Sequence, residues 1–188
     1  MKFKELGKNY NKIAEWWTAQ MEGSDYGMKY VQKAMSLAKK NAKVLDIGCG
    51  SSGRTIAEAL NHGFEITGID VSSEMIRIAK EKHPDIHFIV DDFSTWDSPE
   101  LYDLIIAWDS LFHAPKELQG KLTAKMCNLI KKDGVLLFTA GGVDDERSGE
   151  MQGVLFEYGS LKYEKTRLES IERFNFRAPD IKFGKAIF

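Results

Sequence analysis

The run "VLDIGCGSSG", residues 44–53, constrains this chain more than any other stretch. A short apolar strand, Lys43–Ile47, stops at Gly48. Gly50 and Gly53 follow, and Arg54–Asn61 then reads as a helix with Ile56 and Leu60 one turn apart. Glycines at such a turn let the backbone bend sharply and let a ligand approach without a side chain in the way. Free amides at the start of the following helix can meet a carboxylate or a phosphate. On its own the triplet suits a dinucleotide-binding fingerprint as well as other nucleoside sites.

The rest of the chain repeats this strand–helix alternation. Glu65–Asp70 reads as a second strand, and Ser72 or Ser73 caps a helix that runs to about Lys82, before Pro84. His87–Val90 and Leu101–Trp108 read as the third and fourth strands. Leu118, Leu122, Met126, Leu129 and Ile130 follow helical spacing, and Asp133-Gly134 turns the chain into a fifth strand, Val135–Ala140. The segments "LIIA" and "VLLF" are continuously apolar, as strands buried on both faces must be. The expected fold class is therefore α/β: a doubly wound, mostly parallel sheet with helices on both faces. Ligands in such folds bind beyond the carboxyl ends of the strands.

The 188 residues suit a single domain, with a helical cap over 1–42, a cofactor-binding core over 43–140 and a remainder over 141–188. The cap holds helices at about 8–20 and 28–40. In the remainder, "GGVDDERSGEMQG" reads as a mobile polar loop or lid, "VLFEYGS" as a strand, and 163–174 as a helix. About a dozen residues follow Phe176, so a closing pair of strands would be short, rearranged or absent, and a second subunit would then cover the sheet edge.

Composition narrows the function classes. A formal net charge of −2 gives no general basic surface for nucleic acid or an anionic membrane. No apolar run reaches the ~20 residues that a bilayer requires. The two cysteines suggest no disulfide framework, and the start of the chain has no apolar leader, so the expected compartment is the cytoplasm. No cysteine–histidine spacing suggests a metal site.

Acids at three places sharpen the ligand. Asp70 ends the second strand, where a carboxylate can accept both hydroxyls of a ribose. Asp91, Asp92 and Phe93 follow the third strand; an acid there can accept from an adenine amine while the ring is covered by an apolar neighbour. Asp46 sits inside the first strand, where a buried charge needs a partner such as turn amides or a ligand ammonium. Asp46 and Asp92 both argue against an NAD-dependent oxidoreductase.

Together, "VLDIGCGSSG", "GIDVSSEMIRIAK", "IVDDF", "YDLIIAWDSLFH" and "LIKKDGVLLFT" resemble the class I S-adenosylmethionine-dependent methyltransferases, in the family's order over residues 43–140. The resemblance implies that Gly48 and Gly50, with Asp46 nearby, hold the methionine end of S-adenosylmethionine. It implies Asp70 and Val71 at the ribose, and Asp92 and Phe93 at adenine. "NYNKIAEWW" is similar to the N-terminal element of the small-molecule members, which would put Tyr10 over the cofactor and Trp16 or Trp17 over the cleft. Trp108 and Asp109, after the fourth strand, would touch the cofactor's methionine part or the acceptor. His113 is the candidate base, since histidine can take a proton near neutral pH. The implied activity is methyl transfer to a small molecule, leaving S-adenosylhomocysteine. A binding protein that keeps the pocket without turnover is the other reading.

Overall fold

The computed structural model describes residues 3–51, 53–140, 145–160 and 186–187. Its central sheet contains β1 (Lys43–Ile47), β2 (Glu65–Asp70), β3 (His87–Val90), β4 (Tyr102–Ala107), β5 (Ile130–Ala140) and β8 (Ala186–Ile187), in the order β3-β2-β1-β4-β5-β8. The first five are mutually parallel, and β8 pairs antiparallel with Thr139 and Ala140 of β5. The sheet is closed there by a short strand, one of the outcomes expected. Strand order reverses between β1 and β4, and the crevice at that point faces the carboxyl ends of both.

Alternating side chains send the strands' apolar residues to both faces. On one face Val44, Leu104 and Ile106 pack with Val31 and Met35 of α2 (Met28–Leu37) and with Ile56 and Ala59 of α3 (Arg54–Asn61). On the other, Leu45, Ile105 and Ala107 pack with Leu122 and Met126 of α5 (Lys116–Leu129). All six residues of β4 are buried, which accounts for the apolar run Leu104–Ala107. α4 (Ser73–Lys82) starts at Ser72, whose hydroxyl accepts from the Met75 N–H.

Three stretches differ from the sequence reading. α1 (Phe3–Met21) begins five residues earlier than expected because Phe3 and Leu6 extend its apolar face. β5 begins at Ile130, not Val135, and a register shift opposite Tyr102–Leu104 absorbs Asp133-Gly134 within the strand. Residues 145–151, expected in a polar loop, form β6 (Asp145–Met151), which pairs antiparallel with β7 (Val154–Ser160). The turn between them is Gln152-Gly153, with φ of 52° and 73°. That is the paired left-handed conformation of a tight hairpin, and it overrides the polar composition. The helix expected over 163–174 lies outside the described residues.

α1 lies between the hairpin and α4. Its Leu6 and Ile13 meet Phe156 of β7, and its Ala14 meets Met75 and Ile78 of α4. The helix thereby crosses above the carboxyl ends of the strands.

Candidate functional site

A cavity opens at the reversal point, lined by the loops after β1, β2, β3 and β4 and roofed by α1 through Phe3, Leu6, Tyr10, Trp17 and Met21. Its floor is the glycine turn. Gly48 (φ 70°) donates its N–H to the Ile69 carbonyl at 2.8 Å, tying the turn to β2. A Cβ on Gly48 would come within 2.4 Å of the Ser110 Cβ, so the turn and the loop after β4 touch where no side chain fits.

Asp70 holds this floor in shape. One carboxylate oxygen accepts from the Gly50 N–H at 2.9 Å and the other from the Ser72 N–H at 2.8 Å. Burial raises its pKa, and these amides oppose the rise. A carboxylate has about four acceptor sites, so with the Gly50, Ser72 and Val71 amides on it at least one remains for a ligand. Asp46 is only 3% exposed. Burial, then the Asp70 carboxylate, push its pKa up to about 7, and no cation or hydrogen bond among the described residues offsets them. The partner that its sequence position calls for is not found among the described residues.

The adenine corner divides the two neighbouring acids differently from the sequence reading. Asp91 and Phe93 line the cavity, Asp91 at its rim and Phe93 buried. Asp92 does not line it. Its carboxylate accepts from the Ser94 N–H at 2.8 Å, and its carbonyl accepts from the Thr95 and Trp96 amides, so it builds the turn after β3. A one-residue shift along an irregular turn changes which acid faces inward, and "VDDF" alone gives no sign of which.

The loop after β4 supplies the opposite wall. Trp108 stacks on Tyr30 at 5.7 Å and meets Tyr26 edge-on at 6.1 Å. Asp109 has φ 49°, a left-handed conformation uncommon for a non-glycine residue, and its N–H donates to Thr139 Oγ1 at 2.8 Å. The Trp108 indole N–H, the Ser110 hydroxyl and Arg54 Nε are buried without a hydrogen-bond partner among the described residues. All three residues line the cavity. Buried donors without partners are rare in folded proteins and here point to an acceptor-bearing ligand.

His113 ends a short 3₁₀ turn, Leu111–His113, and is buried at the cavity edge. Its Nε2 lies 2.6 Å from the Tyr10 hydroxyl and its Nδ1 3.3 Å from the Glu157 carbonyl of β7. Burial pushes its pKa down to about 4. Trp17 also lines the cavity, edge-on to Tyr10 at 6.3 Å, whereas Trp16 packs toward the Leu6–Ile13–Phe156 cluster.

The structure thus brings together Tyr10, Trp17, Asp46, Gly48, Gly50, Asp70, Val71, Phe93, Trp108, Asp109 and His113, and leaves Asp92 outside. Sequence reasoning missed Arg54, Ser110 and Tyr26. Arg54 carried a signal, being a cation directly after the glycine triplet; Tyr26, in a loop before the first strand, carried none. Among the described residues, no group of three or more His, Cys, Asp or Glu could hold a metal ion, and no helix is long and apolar enough to cross a membrane.

Residues 44–134 match the methyltransferase domain family. This stretch carries a methyltransferase domain, of the class I S-adenosylmethionine-dependent kind that its motifs resemble. The chain is 33% identical over 122 residues to the phosphoethanolamine N-methyltransferase of Plasmodium falciparum, covering 62% of this chain and 46% of that protein. It is 30% identical over 148 residues to the ubiquinone biosynthesis O-methyltransferase of Coxiella burnetii, covering 72% of this chain and 60% of that protein. The chain therefore spans about half the length of the curated relatives it matches. The solved complex of DhpI with S-adenosylhomocysteine superimposes with a TM-score of 0.68 at 17% identity, over 90% of this chain and 86% of that one, which shows a common fold.

Proposed function

We propose that this protein transfers the methyl group of S-adenosylmethionine to a small-molecule acceptor and releases S-adenosylhomocysteine. The observation that carries the reading is the convergence of Asp46, the Gly48–Gly50 turn, Asp70 and Phe93 on one cavity at the point where strand order reverses. The methyltransferase domain match supports it, and so do the unpartnered polar groups. Among the described residues Asp46 has no cation beside it, and the cofactor's ammonium would supply one. The donors of Arg54, Trp108 and Ser110 have no acceptor among the described residues, and its carboxylate would supply one.

In this reading Gly48 and Gly50 let the methionine part approach the backbone. Asp70, with Val71 beside it, takes the ribose hydroxyls on its remaining acceptor capacity. Phe93 covers adenine, and Asp91 takes the place first given to Asp92 at the adenine amine. Tyr10 and Trp17 close the roof, and Asp109 faces the acceptor. When bound, the cofactor supplies a methyl group already activated by its sulfonium. The chain's own work is then alignment and exclusion of water. His113 acts on the cavity through the Tyr10 hydroxyl, which occupies its Nε2.

Two free cysteines support a reducing, cytoplasmic setting. Calorimetry with S-adenosylmethionine, S-adenosylhomocysteine and NAD tests the cofactor assignment. Binding of the first two and not NAD is expected, and binding of NAD alone overturns the proposal. Transfer from labelled cofactor into a small-metabolite mixture then tests turnover.

A further inference from the structure

We infer that the methyl acceptor is a small amine, bound in its ammonium form by carboxylates and aromatic faces and methylated on nitrogen. This rests on the methyltransferase reading and deepens it.

Three observations converge. The first is charge. Asp46, Asp70, Asp91 and Asp109 line the cavity, and Arg54 is the one cation among its described lining residues. The Arg54 guanidinium is also turned away from a ligand's negative charge in part, since its Nη1 donates to the Ser24 and Tyr26 carbonyls at 2.9 and 3.0 Å. S-adenosylmethionine brings one net positive charge, which leaves the walls negative. Fixed charge of one sign in a cavity with low-dielectric walls concentrates ligands of the opposite sign. A phenolate or carboxylate acceptor would enter against that field.

The second is the lining. Tyr10, Trp17, Tyr26 and Trp108 contribute ring surface to the same cavity. The negative face of an aromatic ring attracts an ammonium, more strongly where water is excluded.

The third is proton chemistry. An alcohol or phenol must lose its proton to a base as it attacks. The only imidazole in the cavity, among the described residues, has Nε2 against the Tyr10 hydroxyl and Nδ1 against the Glu157 carbonyl. An amine needs no such base during attack. Its ammonium gives one proton to water through the carboxylate-lined mouth, freeing the lone pair. That pair forms the new N–C bond as the C–S bond breaks, and the sulfur keeps the electrons of the broken bond. The methylated nitrogen then carries the positive charge the sulfonium lost, and a further proton leaves to water if the nitrogen still bears one. The wall charge that favours binding thus also matches the charge distribution of the product.

The test uses three probes of nearly one shape on the full chain loaded with S-adenosylhomocysteine: choline, its neutral carbon isostere 3,3-dimethylbutan-1-ol, and 3,3-dimethylbutanoate. Loading is measured first by calorimetry, and its failure counts against the methyltransferase reading alone. The probes are then titrated into the loaded protein, or into the empty protein if loading fails. Choline is expected to bind at least about tenfold more tightly than the isostere, the scale of one desolvated cation–aromatic contact plus a nearby carboxylate, with the anion weakest. Asp109→Asn should narrow that preference while leaving affinity for the isostere in place. Equal affinities, no binding of choline, or preference for the anion overturns the inference.

Discussion

The Tyr10 hydroxyl and His113 Nε2 meet at 2.6 Å, joining the roof helix to the turn after β4. A carbonyl can only accept, so the contact between Nδ1 and Glu157 places the imidazole proton on Nδ1. Nε2 is then the acceptor, and Tyr10 donates to it. Burial, the largest cause, together with the nearby Tyr158, Asp70 and Asp109, pushes the Tyr10 phenol upward, so both groups are neutral at physiological pH.

That arrangement has a pH signature. The unfolded chain protonates His113 near its ordinary value of about 6.5, whereas the folded chain resists until about 4. Between those values the unfolded state binds more protons, so this contribution to stability falls as pH falls, by up to about 3 kcal/mol. Denaturant unfolding at pH 7 and pH 4.5 should show a larger acid loss for the native protein than for His113→Phe. Equal losses would mean that His113 titrates normally.

Asp46 carries the opposite sign. Its folded pKa is raised from 3.8 to about 7, so the folded state holds a proton that the unfolded state has released. Stability therefore falls as pH rises through that window, by as much as about 4 kcal/mol. Asp46→Asn is expected to stabilise the ligand-free protein at pH 8 and to change it little at pH 4. The same substitution should weaken S-adenosylmethionine binding. A variant no more stable than the native chain at pH 8 would mean that Asp46 is already compensated.

The core of the fold was legible because strands buried on both faces leave unbroken apolar runs, and the helices between them leave periodic ones. β1 to β4 and α3 to α5 follow from "KVLDI", "EITGID" and their successors almost to the residue. The hairpin was hidden because β6 is polar and, among the described side chains of β7, only Phe156 is fully buried, so composition masked a strand pair set by the Gln152-Gly153 turn. In the site, Asp46, Gly48 and Asp70 were readable because regular strands fix where their ends point. Asp92 was misplaced and Arg54, Ser110 and Tyr26 overlooked because irregular loops carry no period from which direction can be inferred.

The two acids after β3 separate experimentally. Asp91 lines the cavity, whereas Asp92 holds the Ser94 amide. Asp91 also accepts from the Asp92 N–H at 2.7 Å, so Asp91→Ala is expected to weaken S-adenosylhomocysteine binding by about 1–2 kcal/mol and to lower Tm as well, as loss of a charged acceptor does. Asp92→Ala should cost about 1 kcal/mol of stability and leave affinity nearly intact. Weaker binding for Asp92→Ala and unchanged binding for Asp91→Ala in calorimetry would restore Asp92 to the adenine corner.

Gly7 tests the roof. It lies inside α1, where alanine is ordinarily better than glycine by up to about 1 kcal/mol. A Cβ at Gly7 would come within 2.4 Å of the Val71 carbonyl oxygen, a backbone atom that cannot rotate aside. The helix is pinned at two places beyond that contact. Asn11 accepts from the Ser72 hydroxyl at 2.7 Å and the Glu74 N–H at 3.1 Å, and Thr18 meets the Ser51 hydroxyl at 2.5 Å. The added methyl must therefore either lift α1 or displace the loop that follows Asp70, at a cost of about 1–3 kcal/mol for overpacking. Gly7→Ala should lower Tm despite its better helix propensity and should weaken S-adenosylhomocysteine binding, because Tyr10 and Trp17 move with the helix. A variant that melts higher and binds as before would mean that α1 does not close on Val71.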